Sequence, residues 1–390
     1  MISYSPVYLH EGPPGVTYRI SRELVRRGHE VTIFTTDASR LKSRLKIQDN
    51  PMFVDGVRVY HFPNLSNQLA NKSVPIAPTM AVGLNKLISS FDVVHLREYR
   101  TFNAAFVHYC SKKRGTPFVL QPHGSLPKAA LIERQHLRST FDRIYGRKIL
   151  KDATQVIALQ ETEADQCKQI GVDPRKIRII PHAIDMTNYA DLPEKGVFRQ
   201  KYGLQEEDKL VLYLGRIHKI KGIDLLLDAF LAVSQELTRA KLAIAGPDDG
   251  FLSVLEQKIA DAQMRDRVTV TGPLYGRQKL EAFCDADVYV LPSIYETFPN
   301  TVLEACACGT PVIVTDRCGI ADVLREYGVV VEYDVDQLRD ALLRILKDDE
   351  KRRGLAKRGQ DLVKKEFSWE KVVDEVEKTY DEAIHSKEFG

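Results

Sequence analysis

Along the chain, short runs of β-branched and aliphatic residues alternate with longer segments whose apolar positions recur at helical spacing. That alternation is the mark of parallel α/β architecture. The pattern predicts strands at Val31–Thr36, Val57–Phe62, Asp92–Leu96, Phe118–Pro122, Val156–Leu159 and Ile177–Ile180. It then restarts, with strands predicted at Leu210–Leu214, Leu242–Ala245, Val268–Thr271, Val288–Leu291, Val312–Thr315 and Val329–Glu332. Between the two sets, the polar stretch Asp191-Leu-Pro-Glu-Lys-Gly196 reads as a linker. Ser368 is suited to cap a helix, and the residues from Trp369 to Tyr380 keep helical spacing, so a terminal helix is expected that needs a surface to pack on.

Length agrees with two domains, because 390 residues exceed what one core usually supports. The expected division is 1–190, 197–367 and the terminal segment 368–390. A 44% hydrophobic and 28% charged composition is that of a globular protein. Even the apolar stretch Leu225–Val233 is short and carries Asp228, so no membrane span is expected. Residues Met1–Gly15 lack a basic region followed by an apolar block, which argues against a secretory leader and for a cytoplasmic protein. The cysteines Cys110, Cys167, Cys284, Cys306, Cys308 and Cys318 lack the spacing of a disulfide framework or zinc site and read as buried small hydrophobes.

Charge changes the picture more than composition does. The net +3 conceals a basic first half, with 27 Lys+Arg against 16 Asp+Glu over residues 1–190, and an acidic second half, with 29 against 37. The halves carry +11 and −8. A basic half points to an anionic partner such as a membrane surface, an acidic polysaccharide or a phosphorylated acceptor, with plain solvated surface as the alternative. Within it, Arg134, Arg138, Arg143, Arg147, Lys148 and Lys151 fall in or beside a segment, Leu131–Leu150, whose spacing predicts an amphipathic basic helix.

Candidate chemistry gathers at predicted strand ends, where open α/β sheets bind ligands: His95, His123, Gly215, Gly246, Gly272 and Ser293. After Gly215 come Arg216, Lys219 and Lys221, and then a helix near Gly222. Cations beside a helix N-terminus make an anion site, although a solvated basic loop has the same composition. Glu296 closes a strand-to-helix loop and Glu304 follows eight residues on, inside a helix beginning near Asn300. Carboxylates accept hydrogen bonds from sugar or ribose hydroxyls, and they also decorate ordinary surfaces. Gly15, in Glu11-Gly-Pro-Pro-Gly-Val-Thr17, lets backbone approach a ligand ahead of a helix, and His123 stands at a strand end. Asp285/Asp287 and Asp334/Asp336 have a metal-binding D-x-D form, but Asp287 precedes its strand at the amino end, so both pairs read as structural.

Glu296-x₇-Glu304 running into Ala305-Cys-Ala-Cys-Gly-Thr-Pro-Val312, with Gly215-Arg216 and Lys221-Gly222 upstream, resembles the retaining glycosyltransferases of family 4 over essentially the whole chain. The resemblance implies two Rossmann-like domains facing across a cleft, the GT-B architecture, with the terminal helix crossing back to the first domain. It implies transfer of a hexose from a UDP- or GDP-linked sugar to a hydroxyl of a glycan, glycolipid or other small acceptor, without metal, cofactor or nucleic acid. Nucleotide-sugar epimerases, sugar phosphorylases and non-catalytic nucleotide-sugar binders share such scaffolds and remain alternatives. By resemblance, Arg216 and Lys221 grip the donor diphosphate, Glu304 holds the ribose and Glu296 lies against the transferred sugar. Backbone at Phe298, Asn300 and Thr301 meets sugar and phosphate, backbone near Leu274 meets the base, and Gly15 and His123 face the donor from the first domain. Pro14 and Pro299 stand where family members often have glycine, and Met1-Ile-Ser-Tyr-Ser-Pro6 stands where they supply a fuller first strand.

Overall fold

The computed structural model describes residues 12–38, 44–45, 47, 49–67, 70, 76–126 and 140–386. The chain forms two compact units, one of Met1–Ala183 with Trp369–Gly390 and one of Ile184–Ser368. The first division therefore falls upstream of Asp191–Gly196, which lies inside the second unit. Pro, Gly and charge there mark a turn rather than a linker. The Gly196 and Arg199 amides donate to the buried Asp285 carboxylate at 2.5 and 2.9 Å, which fixes the segment in place.

In the first unit, β1 (Thr32–Thr36) lies parallel to β3 (Val57–Phe62), and β2 (Met52–Val54) pairs antiparallel with β3. Strands β4 (Val94–Arg97), β5 (Phe118–Gln121), β6 (Gln155–Ala158) and β7 (Ile177–Ile179) run parallel in that spatial order. Alternation along each strand sends side chains to opposite faces. Phe118, Leu120 and Val156 join Met80, Leu84, Val107, Ile149 and Leu150 on one face. Val119 and Ile157 meet Ile20 and Leu24 of the helix Gly12–Arg26 and Val372, Val373 and Val376 of the helix Trp369–Ile384 on the other. The terminal helix thus finds its surface in the first unit. Arg27 adds an ion pair to Asp374 at 2.6 Å.

The second unit is a six-stranded parallel sheet. Its strands are β8 (Lys209–Leu214), β9 (Ala240–Ala245), β10 (Val268–Gly272), β11 (Val288–Leu291), β12 (Val312–Thr315) and β13 (Val329–Val331), in the spatial order β10-β9-β8-β11-β12-β13. The strands β8, β11 and β12 are almost wholly buried, as expected of a sheet covered on both faces. Asp287, before β11, pairs with Arg199 at 3.0 Å and accepts from the Leu210 amide at 2.7 Å. Asp334 caps the helix Val335–Lys347 by accepting from the Gln337 amide. Both D-x-D pairs are thus engaged in structure. All six cysteines are buried and free.

Val373 is fully buried between the two helices and the sheet. Val373→Ala should lower the stability of the first unit by about 1–3 kcal/mol, read as a shift of the urea midpoint. No measurable shift would mean that the terminal helix does not close this core.

Candidate functional site

The strand order of the second unit places the site. From β8 the chain builds β9 and β10 on one side, then crosses back to place β11 on the other. At such a reversal the connections leave toward opposite faces and open a crevice at the carboxyl edge. The segments leaving β8 and β11 there are Gly215–Gly222 and Pro292–Asn300, and the Ile294 amide donates to the Ile220 carbonyl at 2.9 Å. Their approach depends on glycine. Gly222 has φ +65°, and a Cβ there would lie 1.9 Å from the Pro292 carbonyl oxygen. Gly246, after β9, has φ +155°, and its Cβ would lie 1.7 Å from the Gly215 carbonyl oxygen.

On this frame the Lys221 ammonium and the Glu296 carboxylate form an ion pair, each side chain less than one-fifth exposed. Lys221 ends a 3₁₀ turn, and Gly222 caps the helix Ile223–Glu236. Glu296 is fixed through its backbone, since the Gly319 amide donates to its carbonyl at 2.8 Å. Arg216 is more exposed and pairs with Asp249. Its carbonyl accepts from the Tyr213 hydroxyl at 2.7 Å, which anchors the turn after β8.

The helix Asn300–Ala307 begins after Pro299, whose side chain offers no oxygen to cap it, and its positive N-terminal end stands where the segment leaving β11 ends. The Tyr289 hydroxyl lies 3.1 Å from the Leu214 carbonyl and 2.7 Å from Thr301 Oγ1. A carbonyl only accepts, so tyrosine donates to it and Thr301 donates to tyrosine. Phe298 is buried against Phe367, with ring centroids 5.8 Å apart. Glu304, in the helix, accepts from Lys279 at 2.8 Å, with both side chains about five-sixths buried. Leu274 is buried in the turn between Gly272 and Gly276, past the end of β10.

The structure therefore gathers Gly215, Arg216, Lys221, Leu274, Glu296, Phe298, Asn300, Thr301 and Glu304 on one edge of the second unit. Gly15 and His123 belong to the first unit. Gly15 does not precede its helix: the helix starts at Gly12, so Gly15 sits buried within the first turn, where prolines are tolerated because the first amides have no intrahelical partner. His123 follows β5 with φ 52°, a left-handed conformation costly for a side chain of this size. Both ring nitrogens are shielded and lack a hydrogen-bond partner among the described residues. Burial, then the charge of Arg97, pushes its pKa well below the ordinary histidine value, so the ring is neutral.

Sequence reasoning missed Asp249 and Lys279, whose ion pairs leave no spacing signal. It also missed Arg97, because the strand beginning at Asp92 was ended at Leu96, one residue too early.

Two Rossmann-like α/β units, one with cations, carboxylates and a helix N-terminus at its strand-order reversal, define the GT-B class of glycosyltransferase. The family model for glycosyl transferases group 1 matches residues 194–362, and that for glycosyltransferase family 4 matches residues 12–188. The D-inositol 3-phosphate glycosyltransferase of Xylanimonas cellulosilytica is 27% identical over 377 residues, covering 90% of this chain and 87% of that protein. The N-acetyl-alpha-D-glucosaminyl L-malate synthase of Bacillus anthracis is 25% identical over 383 residues, covering 95% and 94%. Among solved structures, HepE of Anabaena in complex with UDP and glucose superposes with a TM-score of 0.75 at 16% identity, covering 97% of this chain and 98% of that one. WaaG, a glycosyltransferase involved in lipopolysaccharide biosynthesis, gives 0.70 at 19% identity, with 99% of each chain covered. The chain belongs to the family 4 glycosyltransferases, and it is an enzyme.

The glycine contact at the site yields a matched comparison. Gly203 has φ +68° and nothing within 4 Å of a Cβ, whereas Gly222 has φ +65° and meets a carbonyl. Gly203→Ala should cost about 1–2 kcal/mol of conformational strain alone. Gly222→Ala should cost at least about 1 kcal/mol more, because the strands must separate to relieve the clash. Equal losses in thermal unfolding would mean that the two loops are not held in contact.

Proposed function

We propose that the protein transfers a hexose from a nucleotide-diphosphate sugar to a hydroxyl of a glycan, glycolipid or other small acceptor, with retention and without a metal. The observation that carries this reading is the Lys221–Glu296 pair at the strand-order reversal of the second unit. Breaking the bond from the anomeric carbon to the diphosphate oxygen leaves negative charge on the diphosphate and positive charge on the sugar ring. Lys221, Arg216 and the N-terminus of the helix Asn300–Ala307 stabilise the first charge. Fixed cations there do the work that a divalent ion does elsewhere. Glu296 stabilises the second charge. The acceptor oxygen bonds to the anomeric carbon from the face the diphosphate leaves, and the acceptor proton passes to a diphosphate oxygen, so configuration is kept.

Donor binding exchanges partners. The diphosphate takes Lys221 from Glu296, which releases the carboxylate for the sugar. Glu304 stands further along the helix, where it serves the ribose hydroxyls, and backbone around Leu274 serves the base. UDP sugars are the first donors to try, because the Anabaena structure holds UDP and glucose. The inositol phosphate and malate acceptors named for the relatives make small polar acceptors the matching first choice.

Glu296→Gln keeps shape and loses charge, so it should lower kcat by at least about tenfold, roughly 1.4 kcal/mol, with little change in donor KM. Glu304→Gln should raise donor KM with kcat nearly intact. Turnover should persist in EDTA. Full kcat in a folded Glu296→Gln enzyme, or activity lost to chelation and restored by Mg²⁺, contradicts this scheme.

We also propose that the basic first unit meets an anionic membrane from the cytoplasmic side. The helical stretch Asp142–Asp152 exposes Arg143, Ile144, Tyr145, Arg147 and Lys148 while burying Ile149 and Leu150. Arg134 and Arg138 lie outside the described residues. The protein should sediment with anionic vesicles at low salt and release at high salt. Failure to bind at low salt leaves this face as solvated surface.

A further inference from the structure

The carboxyl edge of β4 and β5 holds a cluster that lies outside the site described on the second unit. Arg97, the last residue of β4, is 4% exposed. Its Nη1 and Nη2 have no hydrogen-bond partner among the described residues. The same is true of both ring nitrogens of His123 and of His95 Nε2. His95 Nδ1 is held 2.7 Å from the Tyr380 hydroxyl, and the His182 ring lies 5.7 Å from that of His123. Glu98 and the Tyr380 phenol are the acidic groups near Arg97, and neither bonds to its Nη atoms.

These groups are poised for an anion. Burial lowers the Arg97 pKa to about 10, which still leaves it charged at neutral pH. Burial, followed by repulsion from Arg97, pushes His95 and His123 well below the usual range, so both rings are neutral. With Nδ1 accepting from the Tyr380 hydroxyl, His95 carries its N–H on Nε2, on the side of Gln121. A guanidinium fork with two buried, unpaired nitrogens matches a carboxylate or phosphate in bidentate fashion. Buried donors in native proteins are rarely left unsatisfied, and those that are need a reason. Strain points to the same place, since Glu98 at φ 66° and His123 at φ 52° are left-handed non-glycine residues just past β4 and β5. Such conformations gather at ligand sites, where the surrounding structure enforces them. The buried Glu163 carboxylate enforces one of them, accepting from the Gly124 amide at 2.5 Å and the Leu159 amide at 2.8 Å and so tying the turns after β5 and β6 together.

We propose that Arg97 receives an oxyanion, a carboxylate or phosphate monoester, carried by the substrate that docks on the first unit, with His95 and His123 donating beside it. The inference rests on the glycosyltransferase reading above. Two sources share this chemistry: an anionic acceptor, or a carboxylate on the transferred sugar itself.

Calorimetric titration and thermal unfolding of the wild type and of Arg97→Met test it in two arms. The acceptor arm compares glycerol 3-phosphate with glycerol at matched ionic strength. The donor arm compares UDP-glucuronic acid with UDP-glucose. The wild type should prefer the anionic member of one pair by at least about tenfold, and Arg97→Met should erase that preference. Its ligand-free melting temperature should hold or rise, because the substitution removes a buried unpaired charge. A preference in the first arm assigns the oxyanion to the acceptor, and one in the second assigns it to the donor sugar. No preference in either arm overturns the proposal, as does a ligand-free Arg97→Met that melts several degrees lower, which would make Arg97 a structural residue. Binding of UDP alone separates the two readings. If UDP binds while both arms are flat, only the role of Arg97 fails; if UDP does not bind, the donor site fails and the inference falls with it.

Discussion

The approach of two backbone segments at the strand-order reversal of the second unit is the constraint on which the site depends. Parallel neighbours β8 and β11 end on the same edge, so the chain leaving each one must turn within the space of a single crevice. Side chains at the contact would hold the segments apart. Gly222 against the Pro292 carbonyl removes that obstacle, Gly246 does the same where the chain leaving β9 passes the Gly215 carbonyl, and the Ile220–Ile294 hydrogen bond closes the gap. Only with the loops this close can Lys221, on one, meet Glu296, on the other. The glycines pay in conformational freedom for a charge placement that no pair of larger residues could reach.

Much of this was legible in the sequence. All twelve predicted strands are present, most shifted by one or two residues at an end, because buried parallel strands are near-continuous apolar runs that admit few other readings. The strand β2 was missed. It is three residues long and partly exposed, so it has no periodic signal, yet Val54-Asp55-Gly56-Val57 carries the Asp-Gly turn that joins it to β3, with both turn residues at positive φ. The division between units was misplaced for the opposite reason. Asp191–Gly196 has linker composition, but its tie to Asp285 spans too much sequence for any local pattern to reveal. Gly15 was expected ahead of its helix as a point of close backbone approach, although the first turn of a helix tolerates the Gly-Pro-Pro-Gly run.

The site shows the same split between local and distant information. Gly215, Arg216, Lys221, Glu296 and the start of the helix at Asn300 follow directly from strand ends and spacing. What those side chains do in the free protein does not. Lys221 pairs with Glu296, Arg216 with Asp249 and Glu304 with Lys279, so several charges of the anion site are already compensated within the unit. Removing one member of a buried pair strands the other, so such pairs hold their geometry before any ligand arrives. On the proposed reading, donor binding is a substitution of one anion for another around Lys221 rather than the filling of an empty site.

The first half of the chain uses positive charge on two length scales. The sequence has an excess of +11 over residues 1–190, and among the described residues most of the lysines and arginines in that stretch are exposed. There salt screens them beyond about 8 Å, and they can steer an anionic partner without distinguishing one from another. Arg97 is a single charge, but it is removed from that screening and its fork is fixed at a strand end. A group that reaches it must shed its own water and match the geometry of two nitrogens, so the gain is large for a carboxylate or phosphate and absent for a neutral hydroxyl. On the proposed reading, surface charge governs encounter and the buried arginine governs choice. Attraction at the surface without Arg97 would leave the enzyme rich in anionic visitors with no means of selecting among them.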